Sequence, residues 1–520
     1  MTSTIASPPR PEPMAPGALG RWPRAGVPLV GLLVVAGIVL RLWSHSPLWL
    51  DEVQTVQLAK VPLSDLPAAL KTDGAPPLYY VLLHGWISAF GDGVWTVRAP
   101  AMLASVLSLP LAWLVARRLG ASREVAATAL VLFAVNPWSV RYAGEARMYS
   151  LVALEVLLGT LALLRLRERV DRLSVLAVAA STVCLLYTHY WAEFLLTTVG
   201  AGLLWAMWRR PHERAFAARA VLGLVLGGLS FLPWVPTMLY QARHTGSPWA
   251  NPPGLHSLTQ LPQDWYGGNG PAGTLGAVLL VAGLVVAVFA RRGVDGRLRL
   301  ARPTGLSAAL AAVSAVTLLL AWAAAMVADG AVEGRYTAVV VPLLLLLLAL
   351  GVGRLPGRTG AVVLAAFVVV GLSASTTMAT GLHSRAGRLA DLLNIQARPG
   401  DLIVYCPDQL APAVEARLHL DGVTRLELPT EPNPLLINWV DYAGRIDAIS
   451  LPDTAAQIEG HVRTNPGAAV WWVGGFKYRT HDQLCGALHS RLLSDLGRSS
   501  VLVSNTGQAF ERPVLERFAR

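Results

Sequence analysis

Long apolar stretches recur along most of this sequence, and they constrain the fold more than any other feature. Eleven of them approach or reach the length that a helix needs to cross the roughly 30 Å hydrocarbon core of a bilayer. Hydrophobic residues make up 54% of the 520 residues and charged residues only 14%, which is far more apolar than a soluble domain. The sequence therefore predicts a polytopic α-helical membrane protein with about 11 transmembrane helices. The predicted spans are residues 27–43, 99–116, 125–140, 149–166, 173–187, 191–207, 221–238, 275–290, 306–327, 337–352 and 361–380.

The positive charge of the chain indicates a membrane topology. The net charge is +11, but its arginines cluster in alternate connections between the apolar stretches. Such clusters stay in the cytoplasm, and all of them fall on one side of an eleven-span arrangement that begins inside. We therefore predict a plasma-membrane protein in contact with membrane lipids, with a cytoplasmic N-terminus, an outer C-terminus and no nucleic-acid partner. The clusters lie in residues 10–24, 117–123, 165–172, 209–219, 291–302 and 354–358.

Composition divides the chain into three parts. Residues 1–26 are rich in proline and alanine and predict a disordered cytoplasmic leader. Residues 27–382 form the membrane domain, in which residues 44–98 are the longest predicted outer loop. Residues 383–520 lose the long apolar runs and alternate short β-rich and helical stretches, which predicts a small extracytoplasmic α/β domain.

Two of the three cysteines fall in the predicted outer domain. Cys184 lies in the fifth predicted span, where a thiol serves as a small apolar group. Cys406 and Cys485 lie in a compartment that permits a disulfide. Sequence alone does not show whether their Cα atoms approach, so their pairing stays open.

Two adjacent acids, Asp51 and Glu52, follow the first predicted span and form the strongest functional signal. Charged groups near a hydrocarbon boundary are costly, so acids here indicate a functional site. In the alternative interpretation, Asp51 caps a short helix over residues 52–60. Adjacent side chains on a helix point in different directions, so we expect the two acids to have different roles.

The same loop contains a second motif, Asp73-Gly74-Ala75-Pro76-Pro77-Leu78-Tyr79-Tyr80. Two prolines fit the first turn of a helix, where no amide hydrogen is needed. The apolar segment that follows ends near Phe90 and is too short to span a membrane. It predicts an interfacial or re-entrant helix, with Tyr79, Tyr80 and Trp86 at the level of the lipid headgroups.

Three further outer turns contain charged or aromatic residues. If their segment is helical, Arg141, Glu145 and Tyr149 share one face at four-residue spacing, and the alternative to a site is a simple ion pair. His189 lies among aromatic residues, where it is either a ligand or a packing residue. Arg335 precedes the tenth predicted span, and the alternative to a functional role is that its side chain snorkels to the membrane surface.

Together these motifs resemble the GT-C membrane glycosyltransferases. Among them the chain is most similar to bacterial relatives of the protein O-mannosyltransferases and of the lipid A aminoarabinose transferase. The resemblance covers roughly residues 27 to 352 and preserves the order of the motifs. Its motifs are Asp51-Glu52, Pro76-Pro77-Leu78-Tyr79-Tyr80, Arg98-Ala99-Pro100, Arg141-Tyr142-x-x-Glu145-x-Arg147-x-Tyr149 and Arg335-Tyr336.

The resemblance implies a reaction and roles for several of these residues. It implies inverting transfer of mannose or a related sugar from a polyprenyl-phosphate donor to an extracytoplasmic glycan, lipid or protein of the envelope. It implies that Asp51, with Glu52 beside it, provides the general base, because the acceptor hydroxyl must lose a proton as it attacks. Glu52 is left to acceptor binding, a metal or packing. The leaving phosphate needs cationic donors, for which Arg335 and Arg147 are the candidates, and Tyr336 is expected to bind the phosphate beside them. Residues expected to bind or support the substrate are Asp73, Tyr79, Arg141, Glu145, Tyr149 and His189.

No metal-binding signature occurs in the sequence, so no cofactor is predicted and a divalent cation stays optional. Two other functions are weighed. A transporter or flippase of lipid-linked sugars predicts ionisable residues near mid-membrane and an internal repeat, and Glu155 and Glu193 are the main residues of this kind. A non-catalytic envelope scaffold leaves Asp51 and Arg335 unexplained. The sequence therefore favours the transferase.

Overall fold

The structure of the protein is a computed structural model in which the predicted leader lies outside the described residues, except for Gly26. Six helices in the described part are long and apolar enough to cross a membrane, as expected for a multi-pass membrane protein. Four further apolar helices have 10–17 residues, and the number of eleven spans stays a prediction. The structure describes residues 26–247, 250, 253–293, 295, 297–328, 330–475, 481–504 and 509–518.

Helices dominate the chain as far as residue 380, and two short strands form the only sheet in the described part of this region. The strands β1 (Ala290–Arg292) and β2 (Leu298–Leu300) pair antiparallel in an arginine-rich connection. The helices are α1 (Gly26–Leu42), α2 (Leu50–Lys60), α3 (Leu66–Leu70), α4 (Leu78–Phe90), α5 (Val94–Arg118), α6 (Arg123–Val135), α7 (Pro137–Ala143), α8 (Tyr149–Glu168), α9 (Arg172–Thr188), α10 (Ala192–Arg209), α11 (Arg214–Ser230), α12 (Val235–His244), α13 (Leu255–Asp264), α14 (Pro271–Phe289), α15 (Gly305–Val327), α16 (Val341–Arg354) and α17 (Gly357–Thr380).

The helix α16 is the centre of the bundle. Every residue from Val341 to Val352 is buried, although the helix is apolar on all sides. By contrast, α14, α15 and α17 expose valines and leucines such as Val278, Leu319 and Val369. A helix that is apolar all round needs an apolar environment, which is protein for α16 and lipid for the outer helices. The bundle therefore surrounds α16, whose first turn follows Arg335 and Tyr336.

A proline determines where the third predicted span ends. Pro137 disfavours the helical conformation for the residue before it, so α6 ends at Val135. Asn136 then caps α7, since its Oδ1 accepts a hydrogen bond from the backbone N–H of Ser139 at 3.0 Å. This break turns the chain at the end of the bundle and directs Arg141 and the residues after it towards α2.

The residues after 380 contain a five-stranded sheet in the order β4-β3-β5-β7-β6. The strands β3, β4 and β5 are parallel, and β7 runs antiparallel to both of its neighbours. Three of these strands, β3, β5 and β6, overlap the β-rich stretches of the sequence at residues 402–406, 469–474 and 501–504. The elements are α18 (Ala386–Gln396), β3 (Leu402–Cys406), α19 (Ala411–Glu415), β4 (Thr424–Glu427), α20 (Tyr442–Asp447), α21 (Leu451–Thr464), β5 (Val470–Gly474), α22 (Asp482–Leu496), β6 (Ser499–Val503) and β7 (Val514–Phe518).

Both faces of this sheet are covered. Ile403 and Trp471 belong to one buried cluster, and their neighbours Val404 and Trp472 belong to another on the opposite face. Alternate residues of a strand point to opposite faces, so β3 and β5 are apolar throughout, as in parallel sheets with two buried faces. Cys406 and Cys485 form a disulfide, with their Cα atoms 5.6 Å apart. The extracytoplasmic location of this sheet and its helices stays a prediction.

The predicted topology is tested by reporter fusions. A reporter enzyme fused after Arg292 is expected to be active only in the cytoplasm, and one fused after Arg520 only outside it, because arginine-rich connections stay inside. A fusion after Gly93, in the predicted outer loop, is the outside control. Activity of the Arg292 and Arg520 fusions on the same side of the membrane would overturn the eleven-span topology.

Candidate active site

Asp51 lies in the first turn of α2. This helix has eleven residues, of which eight are buried, so tertiary packing holds it in place. Asp51 is not among the buried residues, and 19% of its side chain is exposed. The helix thus carries one accessible carboxylate at its beginning.

The alternative in which Asp51 caps a helix over residues 52–60 is wrong. The helix begins earlier, at Leu50, and its N-cap residue is Trp49. The backbone N–H of Leu50 donates to Glu511 Oε1 at 2.7 Å, and that of Trp49 donates to Glu52 Oε2 at 3.4 Å. Two other acids therefore bind the amides at the beginning of the helix, and the Asp51 side chain is available for another contact.

Glu52 is fully buried and holds three segments together. Arg98 donates to both of its oxygens, from Nε to Oε1 at 2.7 Å and from Nη2 to Oε2 at 2.5 Å. The backbone N–H of Ala146 donates to Oε1 at 2.8 Å. Burial by itself raises the pKa of Glu52, but the charge and hydrogen bonds of Arg98 lower the pKa to about 2. Glu52 is therefore a buried, ionised partner of Arg98.

Asp51 contacts Arg335, which precedes the tenth predicted span. The distance from Asp51 Oδ2 to Arg335 Nη1 is 3.2 Å, and only 16% of the Arg335 side chain is exposed. Arg335 thus turns into the protein instead of snorkelling to a membrane surface. Its backbone is fixed by Gly334, whose carbonyl accepts a hydrogen bond from Trp138 Nε1 at 2.8 Å. A side chain at Gly334 would lie 2.7 Å from Asp264, so only glycine fits there.

Arg147 reaches the same turn of α2 through Thr55. Its Nη1 donates to Thr55 Oγ1 at 2.8 Å, and this hydroxyl donates to the carbonyl of Asp51 at 2.6 Å. The Nε of Arg147 is buried and has no hydrogen-bond partner among the described residues. A buried donor without a partner is costly. Two guanidinium groups and one carboxylate, from three distant parts of the chain, therefore meet at the beginning of α2.

Asp73 lies near this site, but both of its carboxylate oxygens already accept hydrogen bonds from other side chains. Gln54 Nε2 donates to its Oδ1 at 2.6 Å, and the hydroxyl of Tyr80 donates to its Oδ2. Burial and the charge of Asp51 raise the pKa of Asp73, while Arg147 opposes them. Tyr79 is also buried, and its hydroxyl has no partner among the described residues.

Aromatic rings form one wall of the site. His189 lies between Tyr149 and Tyr336, at centroid distances of 5.9 and 5.7 Å. Its Nδ1 accepts a hydrogen bond from the backbone N–H of Trp191 at 3.1 Å. Burial, together with the charges of Arg147 and Arg335, lowers the pKa of His189 to about 3. His189 is therefore neutral and packs against the rings.

Arg141 and Glu145 form an ion pair, but they do not share a helix face with Tyr149, because α7 ends at Ala143 and α8 begins only at Tyr149. The distance from Arg141 Nε to Glu145 Oε1 is 3.2 Å, and the Glu145 side chain is 1% exposed. The guanidinium of Arg141 also lies 3.8 Å from the ring centroid of Phe510, near the C-terminus. This pair lies at the border between the bundle and the C-terminal residues.

In the part of the chain that the structure describes, no group of three or more His, Cys, Asp and Glu side chains could hold a metal ion. The acids around α2 are bound by arginine, tyrosine, glutamine and backbone N–H groups.

Three residues around α2 have no role predicted from the sequence, namely Arg98, Thr55 and Glu511. Arg98 carries a signal, because it is an arginine at the predicted outer end of a span, where positive charge is uncommon. Such a residue needs a buried acid as its partner. Glu511 carries no signal, since it contacts Leu50 across 461 residues.

Comparison with known proteins identifies the fold. No protein-family model matches the sequence, and no curated protein is similar to it in sequence. ArnT from Cupriavidus metallidurans in the apo state matches with a TM-score of 0.53 and 14% identity, over 95% of this chain and 98% of that one. ArnT bound to undecaprenyl phosphate matches with a TM-score of 0.51 and 14% identity, over 94% and 97%.

An oligosaccharyltransferase from Archaeoglobus fulgidus, tethered with an acceptor peptide, matches with a TM-score of 0.49 and 10% identity. It covers 88% of this chain and 71% of that one. At these identities the similarity to ArnT shows the fold alone. The predicted resemblance to the GT-C fold is confirmed.

Proposed function

We propose that this protein is an inverting glycosyltransferase that moves mannose or a related sugar from a polyprenyl-phosphate donor to an acceptor of the cell envelope. The observation that carries the proposal is the meeting of Asp51, Arg335 and Arg147 at the beginning of α2. The reaction needs one carboxylate to accept a proton and cationic groups to bind a phosphate. The fold shared with ArnT, which was solved with undecaprenyl phosphate, supports a lipid-linked donor.

Asp51 is the proposed general base. The hydroxyl oxygen of the acceptor attacks the anomeric carbon of the sugar and forms the new bond. The bond from that carbon to the lipid phosphate breaks, and its electron pair leaves with the phosphate. The hydroxyl proton moves to Asp51, and attack from the face opposite the phosphate inverts the anomeric carbon. Asp73 and Glu52 are less suited to this step, because other groups already bind both of their oxygens.

Arg335 and Arg147 are the proposed ligands of the donor phosphate. A guanidinium group has five N–H donors in a planar fork, which suits phosphate oxygens. Arg335 contacts Asp51 through Nη1, so one side chain links the proposed base to the proposed phosphate site. The buried Nε of Arg147 supports binding of an anion here. Tyr336, Tyr149 and His189 form the wall against which we place the sugar or the first part of the lipid.

The remaining predicted residues are assigned supporting roles. Glu52 positions Asp51 and Arg147, since it joins α2 to Arg98 and to the backbone of Ala146. Asp73, Tyr79, Arg141 and Glu145 shape the surroundings of the site.

The direct test is an assay of the purified protein with a panel of polyprenyl-phosphate sugars. Transfer or donor hydrolysis with one sugar, and not with the others, is the expected result. Turnover of none of them, with donor binding intact, would favour a transporter or a scaffold over a transferase.

Arg335 provides a more specific test. Replacing Arg335 by alanine is expected to weaken donor binding by about 1.5–3 kcal/mol, the range for hydrogen bonds to charged groups. Lysine is expected to restore only part of the affinity, because it cannot reproduce the planar fork. The affinity is measured by titration of a polyprenyl phosphate in detergent.

The matched control is Arg118→Ala. Arg118 also pairs with an acid, but the pair is exposed and lies in a predicted cytoplasmic connection. Its replacement is expected to leave donor binding unchanged. Normal donor affinity in both the alanine and the lysine variants of Arg335 would remove this residue from the phosphate site.

A further inference from the structure

Two C-terminal segments meet at the beginning of α2. The backbone N–H groups of Phe510 and Glu511 both donate to the carbonyl of His383, at 3.0 and 3.1 Å. Ser384 also pairs with Glu511 in an isolated parallel β-bridge. The N–H of His383 in turn donates to Ser46 Oγ at 2.7 Å. These contacts tie residues 383–384 and 510–511 to the chain just before α2.

The side chain of Glu511 enters the first turn of that helix. Glu511 is only 5% exposed, and its Oε1 accepts a hydrogen bond from the N–H of Leu50 at 2.7 Å. The first amides of a helix have no partner within the helix, so an external acceptor orients them and fixes the turn. Asp51 is the next residue. A side chain 461 positions away therefore holds the turn that carries the proposed base.

Phe510 adds a second contact from the same segment. Its ring lies 6.2 Å from the ring of Trp49, the N-cap residue, and 5.4 Å from that of His383. The guanidinium of Arg141 lies over the Phe510 ring, 3.8 Å from its centroid. The segment thus links the N-cap of α2 to Arg141 near the end of α7, so the position of this segment and that of the site are coupled.

We propose that Glu511 is a positioning residue for Asp51, and that the C-terminal region is thereby part of the active site. The expected effect of Glu511 on catalysis rests on the proposed function, whereas its effect on the conformation of α2 does not. Glu511 orients the first turn through Leu50 so that the Asp51 carboxylate faces the acceptor hydroxyl.

Glutamine is a close mimic of Glu511 in this role. Burial, together with the charges of Asp51 and Glu52, raises the pKa of Glu511 to about 8, which favours the neutral carboxyl group near pH 7. The carboxamide of glutamine is also neutral and keeps an oxygen that accepts from Leu50. Alanine removes the acceptor and leaves the amide without its partner.

The experiment compares Glu511→Ala and Glu511→Gln in the full-length protein. The alanine variant is expected to lower the single-turnover transfer rate by about 10- to 100-fold, the effect of misplacing a catalytic group by about 1 Å. Donor affinity is expected to stay normal, and glutamine is expected to restore the rate. Hydrogen–deuterium exchange of the segment 48–55 is expected to be faster in the alanine variant only.

Glu516→Ala is the matched control. Glu516 is an equally buried acid five residues further on, in β7, and its Oε2 lies 2.6 Å from His489 Nε2. The Glu516→Ala variant is expected to leave hydrogen–deuterium exchange in the segment 48–55 unchanged. Unchanged exchange in Glu511→Ala would overturn the inference, and so would a glutamine variant as defective as the alanine one. If the wild type transfers no sugar, the proposed function fails, and the exchange result still decides the role of Glu511.

Discussion

Replacing Asp51 by asparagine is expected to lower the single-turnover rate of sugar transfer by about 10²–10⁴-fold, the usual effect of losing a general base. Asparagine keeps the size and shape of aspartate but cannot accept the proton of the acceptor hydroxyl. Because Asp51 does not cap α2, the fold should tolerate the change. The rate is measured with saturating donor, and donor affinity is measured separately.

The matched control is Asp73→Asn. Asp73 lies in the same loop and accepts hydrogen bonds from Gln54 and Tyr80, which the carbonyl oxygen of asparagine partly preserves. We expect a much smaller loss of rate than at Asp51. If Asp73→Asn abolishes transfer while Asp51→Asn is active at normal donor affinity, the base is Asp73 and our assignment is wrong.

Replacing Glu52 by glutamine is expected to have the largest effect on stability. Both members of the Glu52–Arg98 pair are fully buried, and removing one leaves the other charge without its partner. Breaking such a pair costs about 3–5 kcal/mol, which is a large share of the typical stability of a protein. We expect a marked fall in the melting temperature of the protein in detergent and a low yield of folded protein.

Two comparisons distinguish loss of this pair from a general effect of charge removal. Glu168→Gln breaks the exposed pair with Arg118 and is expected to change the melting temperature little. The double variant Glu52→Leu with Arg98→Met removes both buried charges and is expected to regain part of the stability. A Glu52→Gln protein with the melting temperature of the wild type would show that the pair does not stabilise the fold.

The different environments of Asp51 and Glu52 could be predicted from the sequence only in part. Adjacency predicts that the two acids point in different directions, and they do. Which one faces the site depends on Arg98, which lies 46 residues beyond Glu52 and takes both oxygens of that side chain. An arginine at the outer end of a span is visible in the sequence, but its partner is chosen by how α5 packs against α2.

The sequence alone determined that this is a helical membrane protein. It also determined which charged residues lie near the membrane surface. Both are local properties, because an apolar stretch must avoid water and an acid or arginine beside it must find a partner. The tertiary structure decided that Asp51 meets Arg335 across 284 residues and that Glu511 holds Leu50 across 461. These contacts depend on how the helices around α16 and the C-terminal segments fold back on α2, and no local pattern encodes a distance between residues so far apart in the chain.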